Sequence, residues 1–407
     1  MTEWKTFLSR LAGRIWFRLA LFTLVAIAFA LVAGLVGPLL PSAISVNLGQ
    51  DSVSTILQVL ATSMLAVTTF SLTAMISAYA SAAAVGTPRA TQLLIADGTS
   101  QNALASFLGS FVFSIVGIVA LSTGYYDDRG KTILFFGTLA VIAIIVVTLM
   151  QWISHLTGFG RMSDVIDRVE TAAAQVACDY ATRPYLGARA SEPIPATAIP
   201  VPSQETGCLT GIDMALLQST AERSGAVVHV SALPGAVVYL GSAVAYLEGA
   251  HSAEAVAGVR DAFRVENHRT YEQDPRLGFV ALSEIASRAL STAANDPGTA
   301  VEVLNAIERV LTQVLTTEAD GEVLYDQVRV PGTDFGDLLD DALRPIARDG
   351  AGTVEVGLRL QSVVGDLMLL ATPEQAAALK RTSHDAQSRA LAALTFAGDS
   401  EVLPSRR

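Results

Sequence analysis

The first 160 residues contain four long apolar windows without a charged side chain. Asp, Glu, Lys and Arg are absent from residues 19–50, 52–88, 98–126 and 132–160. A helix that crosses the hydrocarbon core needs about 20 apolar residues, because each residue rises only about 1.5 Å and the backbone must satisfy its own polar groups. The windows therefore predict four membrane-spanning helices at residues 19–40, 53–84, 103–121 and 133–153.

Positive residues predict that the N-terminus lies inside the cell. Lys5, Arg10, Arg14 and Arg18 precede the first window, whereas residues 41–50 contain no Lys or Arg. Cytoplasmic flanks carry the positive excess in membrane proteins, so four crossings return the chain to the cytoplasm. The loop between the third and fourth windows, which this orientation places outside, contains two positive side chains, Arg129 and Lys131. The stronger positive flank before the first window outweighs them. A cleaved signal peptide is the alternative for the first window, but the apolar run is longer than a signal core, and we expect an uncleaved anchor.

The second window carries a polar stripe along one helical face. Small and hydroxyl-bearing side chains recur three or four positions apart, while Leu57, Leu60 and Met64 point elsewhere at 100° per residue. The stripe consists of Thr55, Gln58, Thr62, Ala66, Thr69, Thr73, Ser77, Ala80 and Ala84. Polar groups are costly in lipid, so the stripe should face water or protein. The candidate pore-lining residues are Thr55, Gln58, Thr62, Thr69, Thr73 and Ser77.

The stripe has a second interpretation, in which the helices simply pack closely. Serine and threonine hydroxyls bond to carbonyls of their own helix, and small residues let helices approach one another. Ser63, Thr68 and Ser71 lie off the stripe and fit this interpretation. The third window has a small-residue packing face at Ser106, Ser110, Ser114 and Gly117, and the aliphatic fourth window is expected to face lipid.

The second window is longer than a membrane requires. As one helix, residues 53–84 would measure about 48 Å against a hydrocarbon core of about 30 Å. We expect the helix to tilt or to project into the cytoplasm. The break is predicted at Gly86-Thr87-Pro88, because proline disfavours the α conformation of its predecessor.

Composition and charge separate the two halves of the chain. Charged residues make up 16% of the whole, below the roughly 25% of soluble proteins. The net charge of −11 comes from the C-terminal part, because the charges before Arg161 nearly cancel. An acidic domain argues against nucleic acid as a partner. Cys178 and Cys208 have no metal-ligand spacing, and we expect reduced cytoplasmic thiols.

The C-terminal part predicts an α+β cytoplasmic domain behind an α-helical membrane bundle. We divide the chain into a transmembrane domain (1–160), a linker helix with a Pro/Ala-rich loop (161–205), a small β-rich module (206–250) and an α/β domain (251–407). Strands are predicted at residues 208–212, 227–233, 236–247, 328–330 and 353–360. Helices are predicted at residues 161–181, 214–223, 253–265, 278–290, 299–316, 335–348 and 373–394, with a loop at 184–202 and a frayed tail at 398–407.

Several short segments, in the same order along the chain, resemble a bacterial family of predicted membrane proteins known as domain of unknown function 2254. They are Phe70-Ser71-Leu72-Thr73, Thr87-Pro88-Arg89, Phe107-Leu108-Gly109, Arg269-Thr270, Gln273-Asp274-Pro275 with Gly278, Arg288-Ala289-Leu290-Ser291 and Asn295-Asp296-Pro297. The resemblance implies a membrane anchor with a characteristic cytoplasmic domain and brings no established activity. His155 stands alone where relatives often have two histidines.

The segment around Asn295 and Asp296 is the candidate for ligand binding. Asp296 followed by Pro297 is an ordinary helix start, since the carboxylate caps an N–H and proline fits the first turn. In the functional alternative, Asn295 and Asp296 meet Arg288 or Arg269 and bind an anion or a cation. The five histidines form no i, i+4 pair, so we expect no metal site and no cofactor.

These patterns favour a homo-oligomeric channel or small-solute conduit in the bacterial inner membrane, with the second spans around its axis. The alternative is a membrane-anchored sensor or scaffold whose cytoplasmic domain binds a ligand or a protein partner. No nucleotide-binding or nucleophile-elbow motif occurs, so we expect no enzymatic activity. The expected partners are membrane lipid, further copies of the chain and an ion or small solute.

Overall fold

The apolar windows form long helices in the computed structural model, which describes residues 15–36, 50–85, 87–95, 97–249 and 252–403. The chain divides into an N-terminal unit, Met1–Ala84 with Thr91–Asp164, and a C-terminal unit, Val85–Ala90 with Val165–Arg407. The helices of the first part are α1 (Ile15–Val36), α2 (Gln50–Val85), α3 (Pro88–Ile95), α4 (Gly98–Ser122) and α5 (Asp128–Gly158).

Three of these helices are long and apolar enough to cross a membrane. The apolar segments are Ser52–Ala83, Gly98–Ser122 and Arg129–Gly158, with 32, 25 and 30 residues. They correspond to the second, third and fourth predicted spans. The apolar part of α1, Leu19–Gly34, is shorter, and residues 37–40 of the predicted first span lie outside the described residues. The described residues therefore contain three candidate spans. The first predicted span, at residues 19–40, is not confirmed as a crossing.

Helix α2 is continuous over 36 residues. At about 1.5 Å per residue it measures about 54 Å, well beyond a hydrocarbon core of about 30 Å. The surplus length predicted for this window is therefore confirmed. The helix ends at Val85 and α3 begins at Pro88, where Ala90 N donates to Thr87 Oγ1 at 3.3 Å. The break predicted at this proline is present.

Helix α4 packs through small residues. Ser106, Ser110 and Ser114 are buried, and their hydroxyls donate to the carbonyl oxygens four residues earlier at 2.9, 2.7 and 2.9 Å. A Cβ atom built at Gly117 would lie 3.0 Å from Leu57 Cδ1 of α2. The contact is tight, so a larger residue at Gly117 would require Leu57 to shift, and the packing face predicted for this span is confirmed.

Helix α5 exposes aliphatic side chains to its surroundings. The exposed set comprises Leu139, Ile144, Val146, Val147, Met150 and Ile153. The helix begins after Asp127, whose carboxylate accepts a hydrogen bond from Gly130 N at 2.7 Å. An exposed aliphatic surface of this kind is the one expected of a helix in contact with acyl chains.

Helix α6 (Met162–Thr182) leads into the C-terminal unit and buries one face at Val165, Ile166, Val169 and Ala173. Eight strands follow in the described residues: β1 (Ala188–Ala190), β2 (Ile199–Pro202), β3 (Gly207–Ile212), β4 (Val227–Val230), β5 (Val237–Val238), β6 (Ala243–Glu248), β7 (Phe263–Glu266) and β8 (Tyr325–Val330). They form a five-stranded sheet in the order β1-β8-β4-β6-β2 and a three-stranded sheet in the order β5-β3-β7. Strand β2 forms one edge of the larger sheet and contains Pro200 and Pro202.

Two helices contribute to the core of the strand region, α7 (Met214–Ser224) and α8 (Ala253–Asp261). Leu217 of α7 and Val259 of α8 are fully buried in one hydrophobic cluster with Val228 and Val328 of the larger sheet. Valine at alternate positions of β4 and β8 places one face of the sheet in this core, because side chains alternate along a strand.

The remaining described helices form the rest of the C-terminal unit. They are α9 (Leu277–Ala289), α10 (Pro297–Thr316), α11 (Phe335–Asp349), α12 (Val354–Met368), α13 (Pro373–Ala393) and α14 (Ala397–Val402). Leu282, Ile307, Leu343 and Val363 are fully buried, one from each of α9 to α12. The boundaries predicted for α9, α10, α11 and α13 agree with these helices within two residues.

Five local predictions are wrong. The single strand predicted at 236–247 is two strands, β5 and β6, which belong to different sheets because the chain turns between them. Residues 353–360 alternate like a strand but belong to α12, whose buried positions Val356, Leu360, Val363 and Leu367 have helical spacing. The helix predicted at 253–265 ends at Asp261, and β7 follows because it pairs with β3. The loop predicted at 184–202 contains β1 and β2, and the tail predicted to fray contains α14.

Candidate functional site

The polar stripe of α2 lies on an exposed face. Its described members are all exposed: Thr55, Gln58, Thr62, Ala66, Thr69, Thr73, Ser77 and Ala80. The hydroxyls of Thr62, Thr69 and Thr73 donate to carbonyl oxygens four residues earlier at 2.9, 2.9 and 3.0 Å. Gln58 Nε2 reaches Ser54 Oγ only at 3.4 Å. The helix thus satisfies these threonine hydrogens itself, whereas the amide of Gln58 is bonded weakly.

Another face of α2 packs against other helices of the N-terminal unit. Leu60 and Met64 lie in a hydrophobic cluster with Phe107, Ile145 and Trp152. Another cluster contains Val53 and Leu57 of α2 together with Phe113 and Leu134. These packed positions interleave with the stripe along the sequence and face away from it, because three to four residues complete one turn. The helix therefore presents separate packed and polar faces.

The four ligand-binding candidates lie in the C-terminal unit but make different contacts. Asp296 caps α10, since its carboxylate accepts hydrogen bonds from Thr299 N at 3.1 Å and Thr299 Oγ1 at 2.7 Å. These bonds lower the pKa of Asp296, and the bond from the Thr299 hydroxyl has the larger effect. Asn295 has a positive φ of 47° in the exposed turn before this cap, and Arg288 is exposed in the last turn of α9. The helix-start interpretation of Asp296 and Pro297 is confirmed.

The fourth candidate, Arg269, binds a different carboxylate. Its Nε and Nη2 donate to the two oxygens of Asp274 at 2.6 and 3.0 Å. Asp274 is almost fully buried and also accepts from the backbone N–H groups of Arg276 and Leu277 at 3.1 and 3.2 Å. A Cβ built at Gly235, whose φ is +97°, would lie 2.7 Å from this carboxylate, so only glycine fits there.

The segment around Asp274 also contacts the residues that follow α2. Arg89 lies in the stretch Val85–Ala90 that belongs to the C-terminal unit, and its guanidinium forms an ion pair with Glu284. The hydroxyl of Tyr271 donates to the carbonyl oxygen of Arg89 at 3.2 Å. Burial raises the pKa of Tyr271, which keeps this hydroxyl protonated. The contact joins residues 182 positions apart, Arg89 of one segment of the family resemblance and Tyr271, which lies between two others.

A second polar cluster lies in the N-terminal unit and joins two of its helices. Asp97 caps α4, and its Oδ2 accepts from Ser100 N at 2.7 Å and from Ser100 Oγ at 2.5 Å. His155 of α5 places Nε2 3.0 Å from the same oxygen. Asp97 and Ser100 are buried, and the imidazole ring lies against Trp152 and Phe159, with centroids 5.8 and 4.9 Å apart.

This cluster differs from a hydrolytic triad. Ser100 donates to the carboxylate rather than to the imidazole, which is 3.4 Å away, so the histidine is not placed to deprotonate the hydroxyl. Among the described residues, no group of three or more His, Cys, Asp and Glu side chains is arranged to hold a metal ion. The arrangement instead ties the start of α4 to the end of α5.

Sequence reasoning missed Asp97 and Glu284 as contact residues. Asp97 is a single carboxylate between the second and third spans, and a lone charge in that position was the available signal. Glu284 lies within an apolar helical pattern in α9, which suggested no partner. Arg89 lay within a segment of the family resemblance, but the sequence did not indicate what it binds.

Comparison with known proteins places the chain near a family without an assigned activity. The family described as predicted membrane protein DUF2254 matches residues 12–366. Uncharacterized proteins of Mycobacterium bovis and of two strains of Mycobacterium tuberculosis are each 26% identical to it over 238 residues, which cover 55% of this chain and 45% of each relative. The chain spans about half the length of these curated relatives. No solved structure matches it significantly.

Proposed function

Because the chain belongs to the DUF2254 family of predicted membrane proteins, we propose that it forms a homo-oligomeric conduit for an ion or small solute, with α2 of each copy around the axis. One observation carries the proposal: a continuous polar stripe on a membrane-spanning helix lies on the face that the rest of its own chain leaves exposed. The proposal assigns no catalysis and places the C-terminal unit in the cytoplasm.

The exposed surfaces of α2 and α5 support different neighbours for the two helices. The exposed residues of α5 include Leu139, Val146 and Met150, which suit acyl chains. Helix α2 also exposes apolar side chains, among them Val59, Phe70 and Ile76, but its stripe adds exposed hydroxyls and the amide of Gln58, which α5 lacks between Leu139 and Met150. Removing a polar side chain from water without a good hydrogen bond is costly, and the 3.4 Å contact with Ser54 satisfies that amide poorly. Water or another copy of α2 would satisfy it.

The connection after α2 supports a regulated conduit. The helix ends at Val85, and the next residues belong to the C-terminal unit, where Arg89 pairs with Glu284 and accepts from Tyr271. A change in the C-terminal unit at this point would act directly on the end of the proposed lining helix. The arrangement therefore gives a physical route from a cytoplasmic signal to the axis.

Cysteine accessibility scanning tests the proposal. Single cysteines replace Thr62, Thr69 and Thr73, with Leu65 and Leu72 as exposed apolar controls, after Cys178 and Cys208 are changed to alanine. A water-filled axis makes the threonine positions react with a charged thiol reagent at least about tenfold faster than the controls, since the reagent requires water. Solute flux into liposomes should then fall when Thr69 carries the reagent.

Two results, obtained together, would contradict the conduit: equal, slow labelling at the stripe and control positions, and a monomeric mass in detergent. The alternative, a membrane-anchored sensor or scaffold, predicts no flux and a ligand-dependent rise in the unfolding temperature of the full chain. A ligand at 100 times its Kd stabilises a protein by about 2.7 kcal/mol, which such a measurement resolves.

A further inference from the structure

One face of the five-stranded sheet carries a row of polar side chains across four strands. Arg189 of β1 is in register with Arg329 of β8, Arg329 with His229 of β4, and His229 with Tyr246 of β6. Residues in register on neighbouring strands point to the same face and lie about 5 Å apart. Two arginines and a histidine from three adjacent strands therefore meet on one surface.

This row points away from the hydrophobic core. Val228 and Val328, next to His229 and Arg329 in sequence, are fully buried in the cluster that contains Leu217. Alternate residues of a strand face opposite sides of the sheet, so the row belongs to the other side. Its composition is not explained by packing against α7 and α8.

The arginines of the row lack a full set of partners. The side chain of Arg189 is exposed and makes no hydrogen bond or ion pair with any described residue. Arg329 Nε is buried without a hydrogen bond, and the carboxylate of Glu192, whose side chain is 65% exposed, lies 3.5 Å from it. Like charges in register across a sheet repel each other. Arg329 Nη1 donates to the carbonyl oxygen of Asp326 at 2.7 Å, but no described side chain bridges the two arginines, and an anion between them would offset their repulsion.

Two further polar atoms are buried on this face without a hydrogen-bond partner among the described residues. They are His229 Nδ1 and Gln327 Oε1. His229 is 4% exposed, and its Nε2 is occupied by Glu248 Oε2 at 2.9 Å. Gln327 precedes Arg329 by two residues on β8 and so shares its face. Buried polar atoms normally have partners. Because His229 Nε2 donates to Glu248, both atoms are acceptors, and they point to a bound group that carries a hydroxyl, as a monoprotonated phosphate does.

We propose that this row binds a phosphate-type oxyanion. Guanidinium groups match phosphate oxygens with paired N–H donors, and a tetrahedral oxyanion can accept from Arg189 and Arg329 while bonding to His229 or the Tyr246 hydroxyl. The surrounding unit is acidic, so attraction here is local to the row rather than a property of the whole surface. All these residues lie in the C-terminal unit, and the proposal is independent of the conduit.

Equilibrium dialysis with radiolabelled inorganic phosphate tests the site on the full chain in phosphatidylcholine nanodiscs, with chloride keeping the ionic strength constant. Saturable binding is expected. Arg189→Gln should weaken phosphate binding by about tenfold, because a charged hydrogen bond to phosphate is lost. The affinity of Arg189→Lys should lie between those of the unchanged protein and Arg189→Gln. Arg344→Gln is the matched control, since Arg344 is an exposed arginine of the same unit paired with Asp340. This control should bind like the unchanged protein.

A second arm separates a free phosphate from a lipid headgroup. Nanodiscs containing phosphatidic acid are analysed by native mass spectrometry, and retention of this lipid by the unchanged protein but not by Arg189→Gln would assign the headgroup. Arg189 has no partner to lose, so its variants report binding rather than folding. Absence of saturable phosphate binding and of Arg189-dependent lipid retention would overturn the proposal, as would equal weakening by Arg189→Gln and Arg344→Gln.

Discussion

In the N-terminal unit, Thr62, Thr69 and Thr73 each donate to a carbonyl one turn earlier in the same helix. In the C-terminal unit, Arg269, Arg276 and Arg359 bind side chains from 5 to 65 residues away. Lipid offers no hydrogen bonds, so a membrane helix is safest when its polar groups are satisfied locally. A water-exposed domain can leave polar groups to water until distant partners assemble. The contrast predicts that single polar substitutions have large effects where partners are distant and small effects where they are local.

Asp274→Ala should give the largest loss. It leaves the partly buried guanidinium of Arg269 and two backbone N–H groups without their buried acceptor, at a cost of about 3 kcal/mol. Urea unfolding is followed by thiol labelling, because both cysteines, Cys178 and Cys208, lie in the C-terminal unit. Asp340→Ala, which breaks an exposed pair with Arg344, should cost no more than about 1 kcal/mol. Similar losses in the two variants would contradict the contrast.

Asp97→Ala tests the exception within the N-terminal unit, where α4 and α5 are joined by polar contacts. Loss of the acceptor shared by Ser100 and His155 should cost about 3 kcal/mol. Asp127→Ala is the matched control, because Asp127 is an exposed cap with one local bond to Gly130, worth about 1 kcal/mol. Fluorescence of the buried Trp152 measures unfolding once Trp4 and Trp16 are changed to phenylalanine. If the Asp97 variant were as stable as the Asp127 variant, the cluster would not stabilise the contact between α4 and α5.

Asp296→Ala should remove about 1 kcal/mol, the ordinary worth of a helix cap, and Asp296→Asn should restore most of it. The folded-state pKa of Asp296 is lowered by its bonds to Thr299. Its contribution is therefore complete above the unfolded pKa of about 3.9 and is lost as the pH falls through the folded value. Circular dichroism during urea unfolding should show this loss in the unchanged protein, and Asp296→Asn should lack it. An identical pH dependence in both would refute the assignment.

Thr69→Val should change stability least, within about 0.5 kcal/mol, because the hydroxyl bonds only to its own helix. Ser71→Val on the packed side of α2 should instead cost about 1–3 kcal/mol through overpacking, since Ser71 is fully buried. Unfolding of the spans in mixed detergent micelles compares the two variants. A large loss of stability for Thr69→Val would mean that its hydroxyl has a distant partner. The contrast between local bonds in the N-terminal unit and distant bonds in the C-terminal unit would then fail.

The spans were predictable because their determinants are local. Apolar length alone locates α2, α4 and α5, and a cap or a proline marks their ends at Asp97, Asp127 and Pro88. The predicted strand at 353–360 was wrong because its alternation covers only eight residues, whereas the helical spacing of the buried residues is visible only over the longer range from Val356 to Leu367.

The polar sites were less predictable because they depend on tertiary contacts. Arg269 was predicted to meet Asn295 or Asp296, but its partner is Asp274. The pairing of Arg89 with Glu284, and that of Asp97 with His155, join segments whose spacing follows no local period. The row from Arg189 to Tyr246 is set by strand order, which a sequence read without homologues does not provide.

The proline-containing edge of the larger sheet limits how copies of the protein can associate. Pro200 and Pro202 of β2 have no backbone N–H, so a strand from another molecule finds few donors along that side. In the proposed conduit, copies held side by side in a membrane would keep these edges at high local concentration. The two prolines would disfavour strand pairing between copies along β2, the edge of the larger sheet opposite β1.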